Sequence, residues 1–134
     1  MKKMFLILFS LVAIFASAQN NLPQPGDNIL NTDMDKFIGT WKWKMGNDSF
    51  ILILKKENIA IPFLENIRGD WGIGFHQYIL NETIIEDSSS YSGTNYDDKK
   101  NTVTWTTDRN TNNPNILKGF IQHKTKGKSV EMTI

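Results

Sequence analysis

Apolar and polar residues alternate with a period of two over most of the chain after Thr40. Trp41, Trp43 and Met45 alternate with polar neighbours, and a turn-forming Gly-Asn-Asp sequence follows them. The segment 49–56 after this turn is apolar at successive positions. A period of two predicts a strand, and a strand that is apolar on both sides must be central in a sheet or covered on both faces. The sequence therefore predicts a β-hairpin whose second strand is well covered.

The rest of the chain predicts more strands of the same kind. The segments that show strand patterns are 71–80, 82–86, 101–107, 116–123 and 128–134. A weaker extended segment at 58–64 contains Pro62, and the Ser-, Asn- and Asp-rich segment 88–100 predicts a long exposed loop. Closely spaced strands with short turns between them indicate an all-β antiparallel meander, which folds as a barrel, a partly open barrel or a sandwich.

The first 18 residues have the pattern of a secretory signal peptide. Two lysines follow Met1, an apolar run extends over residues 4–15, and Ala16-Ser17-Ala18 forms an A-x-A cleavage site. The apolar run is shorter than the roughly 20 residues that a membrane-spanning helix needs. We therefore expect cleavage before Gln19 and export to the periplasm or out of the cell, with no stable membrane anchor after cleavage.

The exported chain divides into a leader and a domain. Residues 19–31 are polar and contain Pro23, Pro25 and Gly26, which predicts a flexible leader. Thr32 and Asp35 have the spacing of a capping box, so a short helical turn is expected before the first strand. Residues 32–134 then form the single β domain.

Composition narrows the function classes. The chain has 15 basic and 14 acidic residues, so no global charge favours nucleic acid as a partner. It has 0 cysteines, which excludes disulfides, cysteine-based zinc sites and thiol nucleophiles. Stability must therefore come from packing and from hydrogen bonds within the sheet.

The start of the predicted domain resembles known β-barrel families. Gly39-Thr40-Trp41, placed after a short helical turn, resembles the G-x-W start of lipocalin-like and fatty-acid-binding-like barrels. Together with the signal peptide, residues 1–56 also resemble small secreted proteins of unknown function of a flavobacterial type. These resemblances imply a lipocalin-like sheet with no established activity, in which Gly39 is structural and Trp41 packs in the core.

Candidate catalytic chemistry is sparse. His76 and His123 are the 2 histidines, and neither belongs to a metal-binding motif, so no metal site and no cofactor are predicted. Glu82 and Glu86 would share a strand face, as the carboxylates of a glycosidase could, but a solvated strand edge explains them more simply. With no nucleophile, base and orienting residue that assemble, we predict no catalytic residues and a domain that is not an enzyme.

The 4 tryptophans give the best functional hint. Strand alternation places Trp43 and Trp105 on inward positions, and glycines near His76 and Tyr78 would leave room between the strands. We therefore predict a ligand site at Trp43, His76, Tyr78 and Trp105 that binds a small apolar molecule. The alternative is a surface or protein–protein interaction module without a ligand pocket.

Overall fold

A computed structural model describes residues 22–108, 111 and 113–134, and all eight of its strands belong to one sheet. The predicted signal peptide lies outside the described residues. The strands are β1 (Asn28–Ile29), β2 (Gly39–Met45), β3 (Asp48–Ala60), β4 (Arg68–Leu80), β5 (Thr83–Asp87), β6 (Val103–Asp108), β7 (Asn113–His123) and β8 (Lys128–Thr133). Short 3-10 helices lie at Thr32–Phe37, Ser89–Tyr91, Tyr96–Asp98 and Lys124–Lys126.

The sheet is mainly an antiparallel meander that curls into a half-barrel. Its main order is β2-β3-β4-β6-β7-β8, while β5 pairs with one part of β4 and β1 pairs with another. The β1–β4 pair is parallel and the other pairs are antiparallel. The predicted all-β meander with a partly open barrel is therefore confirmed.

The apolar β3 occupies the covered position that its sequence predicts. It lies between β2 and β4, and its Leu52 and Leu54 point to the concave face of the sheet, which we call the inner face. On the opposite, outer face, the segment 88–102 crosses β3 and β4: Lys55 donates to the Thr94 carbonyl, and the Tyr96 N–H donates to Glu57. The segment predicted as an exposed loop is thus packed on the sheet, where Phe75 of β4 is fully buried.

One end of the inner face is closed by the 3-10 helix Thr32–Phe37. Its Met34 and Phe37 are buried in the main apolar cluster. The other members of that cluster come from four strands: Leu52, Leu54, Val103, Trp105, Leu117 and Met132. The short helical turn predicted before Gly39 is confirmed, and it supplies a lid over the core.

Two glycines make room for Trp105 within the sheet. The Trp105 ring lies over Gly72, where an added Cβ atom would stand 2.5 Å from a ring carbon and 2.2 Å from the Trp105 carbonyl oxygen. At Gly119, on the other side of β6, an added Cβ would stand 2.3 Å from the Thr104 carbonyl oxygen. Glycine is required at both positions because the neighbouring backbone approaches so closely.

The end of the predicted leader is attached to the sheet. The Gly26 N–H donates to the Asn66 carbonyl at 2.7 Å, and the Arg68 N–H donates to the Asp27 carbonyl at 3.0 Å. Asn28 and Ile29 then pair with Arg68 and Gly69 as β1. The last residues of the segment 19–31 therefore form part of the folded domain instead of a flexible leader.

Candidate functional site

A row of aromatic side chains crosses the inner face at the end that the 3-10 helix leaves open. Trp43 of β2 pairs with Phe50 of β3, which in turn pairs with Tyr78 of β4. The ring centroids of Trp43 and Phe50 are 5.9 Å apart, and those of Phe50 and His76 are also 5.9 Å apart. We call these four residues, Trp43, Phe50, His76 and Tyr78, the aromatic row.

The end of the aromatic row that lies on the edge strand β2 is open to solvent. Trp43 is 43% exposed, and its neighbours Trp41 and Met45 on the same edge strand are also exposed. Val130 of β8, which faces inward from the opposite edge of the sheet, is exposed as well. The open half of the inner face therefore presents apolar surface to solvent.

His76 is the polar member of the row and is held in one orientation. Its Nδ1 lies 2.8 Å from the Thr102 hydroxyl, which lies 2.7 Å from the Ser88 hydroxyl. The Ser88 hydroxyl also accepts a hydrogen bond from the His76 N–H and donates to the His76 carbonyl. All three residues are buried, so this network fixes the imidazole ring.

Burial also determines the charge of His76. Removal of the ring from water lowers the pKa of His76 below its ordinary value, and the nearby Glu86 carboxylate offsets only part of this effect. The imidazole is therefore neutral at neutral pH. The His76 side chain is fully buried and forms the covered end of the aromatic row.

Glu86 lies beside the aromatic row and is bonded to the hairpin formed by β7 and β8. It accepts a hydrogen bond from the Thr125 N–H at 2.5 Å, and its Oε1 is 3.0 Å from Nδ1 of His123. Burial by itself would raise the pKa of Glu86, but the hydrogen bonds from Thr125 and the charge of His123 outweigh it and lower the pKa. The Glu86 carboxylate therefore links β5 to the hairpin of β7 and β8.

The four predicted ligand-site residues share the inner face but do not line one cavity. Trp43, His76 and Tyr78 belong to the aromatic row, whereas Trp105 lies in the core. Trp105 is 4% exposed, packs edge-on against Phe37 with ring centroids 6.3 Å apart, and donates its Nε1–H to the Ile73 carbonyl. The prediction that Trp105 contacts a ligand beside His76 is therefore wrong, because the helix Thr32–Phe37 covers it.

The space beside the glycines that were expected to leave room near His76 and Tyr78 is filled by other atoms. Gly72 accommodates the Trp105 ring, and an added Cβ at Gly74 would stand 2.5 Å from the Ile53 carbonyl oxygen. Sequence alternation gave the correct face for each side chain. It could not show that one tryptophan would fill the space beside a glycine.

Trp41 is likewise misplaced by the sequence prediction. It is 37% exposed and does not belong to the core cluster. Its Nε1–H donates to the Phe37 carbonyl at 2.9 Å, so it connects β2 with the end of the 3-10 helix. The prediction that Trp41 is a core residue is wrong, because it lies on the edge strand β2 and remains partly exposed.

A cavity of about 450 Å³ opens on the outer face instead. Its lining comes from β4, β6, β7 and β8 and includes Trp71, Thr104, Thr106, Lys118, Phe120 and Glu131. The strand pattern of the sequence does not predict this cavity, although the outward positions of Trp71 and Phe120 follow from strand alternation.

One protein-family model covers the whole chain. A model described as "Family of unknown function (DUF6705)" matches residues 1–134. The chain belongs to DUF6705. No curated protein and no solved structure shows significant similarity to it.

Within the described part of this DUF6705 chain, no three His, Asp or Glu side chains are close enough together to hold a metal ion. Glu82 lies in the turn between β4 and β5, while Glu86 is bonded to Thr125. In the same residues, no helix of this DUF6705 protein is long and apolar enough to cross a membrane.

Proposed function

We propose that this protein is an exported, non-enzymatic binding domain that holds a small apolar ligand on the open half of its inner face. The observation that carries the proposal is the aromatic row, which joins exposed Trp43 to buried His76 through Phe50. Ligand sites typically combine apolar and aromatic walls with a few placed polar groups.

The chemistry of the row specifies the ligand further. Rings at Trp43, Phe50 and Tyr78 offer apolar contact, and His76 is fixed by Thr102 at the buried end of the row. A small apolar molecule that stacks against these rings fits this surface. The resemblance of Gly39-Thr40-Trp41 to lipocalin-like starts supports the same class of ligand.

The test is a fluorescence titration with lauric acid, retinol and 1-anilinonaphthalene-8-sulfonate as probes. We expect at least one of the three to bind saturably and to change the indole fluorescence. Trp43→Ala should weaken that binding about three- to tenfold, because an aromatic contact contributes about 0.5–1.5 kcal/mol. Trp71→Ala, which alters the outer face, is the matched control and should leave the affinity unchanged.

Failure of all three probes to bind would favour the alternative, a protein–protein interaction module without a ligand pocket. The outer edges of β2 and β8 carry no strand partner within the described residues, and such edges can pair with another chain. If none of the three probes binds, and the protein instead forms a dimer that Trp43→Ala disrupts, the inner face is a protein interface.

A further inference from the structure

The cavity on the outer face arises where two strands separate. β4 and β6 pair only from Gly72 and Trp105 to Gly74 and Val103, and beyond Gly72 the strand β4 pairs with β1 instead. We call the space between the diverging strands, lined by Asp70, Trp71, Thr104–Asp108, Lys118–Phe120 and Glu131, the fork pocket. Its volume of about 450 Å³ lies in the range of small-ligand sites, about 300–1,000 Å³.

On the inner face, hydrogen bonds from Asn31 bridge β4 and β6 at the point where the two strands separate. Asn31 donates its N–H to Asp70 of β4 at 2.9 Å and its side-chain amide to the Thr107 hydroxyl of β6 at 3.1 Å. Lys56 forms an ion pair with Asp70 at 3.1 Å. Burial would raise the pKa of Asp70, but the hydrogen bonds from Asn31 and Asn58 and the charge of Lys56 lower it, so the carboxylate stays charged. Asn31 therefore links β4 and β6 where the two strands separate.

Aromatic rings stand on two sides of the pocket. Trp71 is 36% exposed and Phe120 is 54% exposed, and they belong to strands on either side of β6. Both side chains line the fork pocket. They offer two apolar surfaces to one ligand.

The polar groups between the rings include both donors and acceptors. Thr104, Phe120 and Glu131 lie in one row across β6, β7 and β8, and Thr106 pairs with Lys118 in the adjacent region. The side chains of Thr104, Thr106 and Glu131 have no hydrogen bond or ion pair within the described residues. The Lys118 ammonium lies 3.3 Å from Asp108 and retains further N–H donors.

These features select one ligand class. Lys56 pairs with Asp70 and Lys118 pairs with Asp108, so the charges around the pocket are largely balanced, and the remaining Glu131 disfavours an anion. A purely apolar ligand would leave the threonine hydroxyls and Glu131 without water or partners. Sugar hydroxyls both donate and accept hydrogen bonds, and the C–H faces of a sugar ring fit against aromatic rings. We propose that the fork pocket binds a neutral saccharide.

The test uses calorimetric titration of the full chain with neutral oligosaccharides: the tetramers of β-1,4-glucose, β-1,3-glucose, β-1,4-xylose and β-1,4-mannose. We expect saturable binding of at least one. Trp71→Ala and Phe120→Ala should each weaken it about three- to tenfold, since each removes one aromatic contact. Trp43→Ala, on the inner face, should leave it unchanged.

Two conservative variants separate this ligand class from others. Thr104→Val with Thr106→Val keeps the shape and strand preference of both residues, so the chain should fold while saccharide binding weakens. Glu131→Gln should change the affinity by less than about twofold for a neutral ligand, whereas a cation would lose far more.

The proposal is overturned if no tetramer binds, or if binding is unchanged in both aromatic variants. It is also overturned if the pocket responds only to choline or only to sulfated oligosaccharides. Circular dichroism of each variant shows whether it is folded, so that lost binding is not caused by unfolding. These results are independent of the inner-face ligand, because that test uses other probes and the variant Trp43→Ala.

Discussion

The hydrogen-bond network around His76 couples the protonation of one residue to the stability of the fold. The folded protein holds the imidazole neutral, with Nδ1 against the Thr102 hydroxyl. In the unfolded chain, the same ring is solvated and titrates near its ordinary value of 6.5. Protons therefore bind the unfolded state more readily between these two pKa values.

We predict that the free energy of unfolding falls as the pH is lowered below about 6.5. The folded pKa of His76 is lowered, so its contribution is fully present above pH 6.5 and is lost as pH falls toward the folded pKa. The slope cannot exceed about 1.4 kcal/mol per pH unit for one group. Urea unfolding between pH 7.5 and 5.0 measures it. This range lies above the ordinary values of Asp70, Glu86 and Asp87, 3.8 to 4.5, whose pKa values are also lowered.

The matched control for that titration is His123→Gln. Both histidines lie near Glu86, and the charges that act on His76 come from Glu86, Asp87, His123 and Lys124. We expect the slope to disappear in His76→Gln and to persist in His123→Gln. A slope that persists in His76→Gln would show that another group is responsible.

At the level of single residues, the sequence predicted the face of a side chain better than its depth. Alternation correctly placed Trp43, Trp105, His76 and Tyr78 on one face. It could not distinguish buried Trp105 from exposed Trp41, because depth depends on which strand lies at an edge and where the helix Thr32–Phe37 packs. Those facts come from long-range contacts.

Among the elements, the 3-10 helix Thr32–Phe37 contributes more to the core than its length suggests. A single short 3-10 helix has little stability of its own. It is held by the burial of Met34 and Phe37, and by Lys56, which forms an ion pair with Asp35 of the helix. That contact raises the pKa of Lys56 and is only partly opposed by burial. Packing therefore determines this element.

We predict that Met34→Ala lowers the free energy of unfolding by about 2–5 kcal/mol, because Met34 is fully buried beneath the sheet. Met45→Ala makes the same chemical change at a residue that is 80% exposed, and its effect should stay within about 0.5 kcal/mol. Urea unfolding midpoints compare the two. Equal effects would mean that the helix does not close the core.

For the molecule as a whole, the antiparallel meander and its hairpins followed from the sequence, and the pairing of distant strands did not. Hairpins such as β2–β3 and β7–β8 were visible as two alternating segments around a turn. Neither the fork between β4 and β6 nor the pairing of β1 with β4 has a local signal, because both depend on residues about 30–40 positions apart. The fork pocket could not be predicted for this reason.

We predict that the mature protein begins at Gln19 when it is recovered from outside the cytoplasm. The charged start, the apolar run and the A-x-A site together favour recognition and cleavage there. Intact-mass spectrometry of periplasmic and secreted fractions measures the mass of the product. The control Ala16→Arg with Ala18→Arg removes the small residues of the cleavage site and should retain residues 1–18. A full-length product confined to the cytoplasm would contradict the prediction.

The parallel pairing of β1 with β4 has a kinetic consequence. Most strands pair with a neighbour in sequence, so most of the sheet can assemble through short loop closures. β1 must instead cross from Asn28 to Arg68, and it has a site to join only after β4 has formed. We expect β1 to dock after the transition state and to detach first. Weakening its contacts should thus accelerate unfolding while leaving the refolding rate nearly unchanged, a separation that stopped-flow measurements in urea would record.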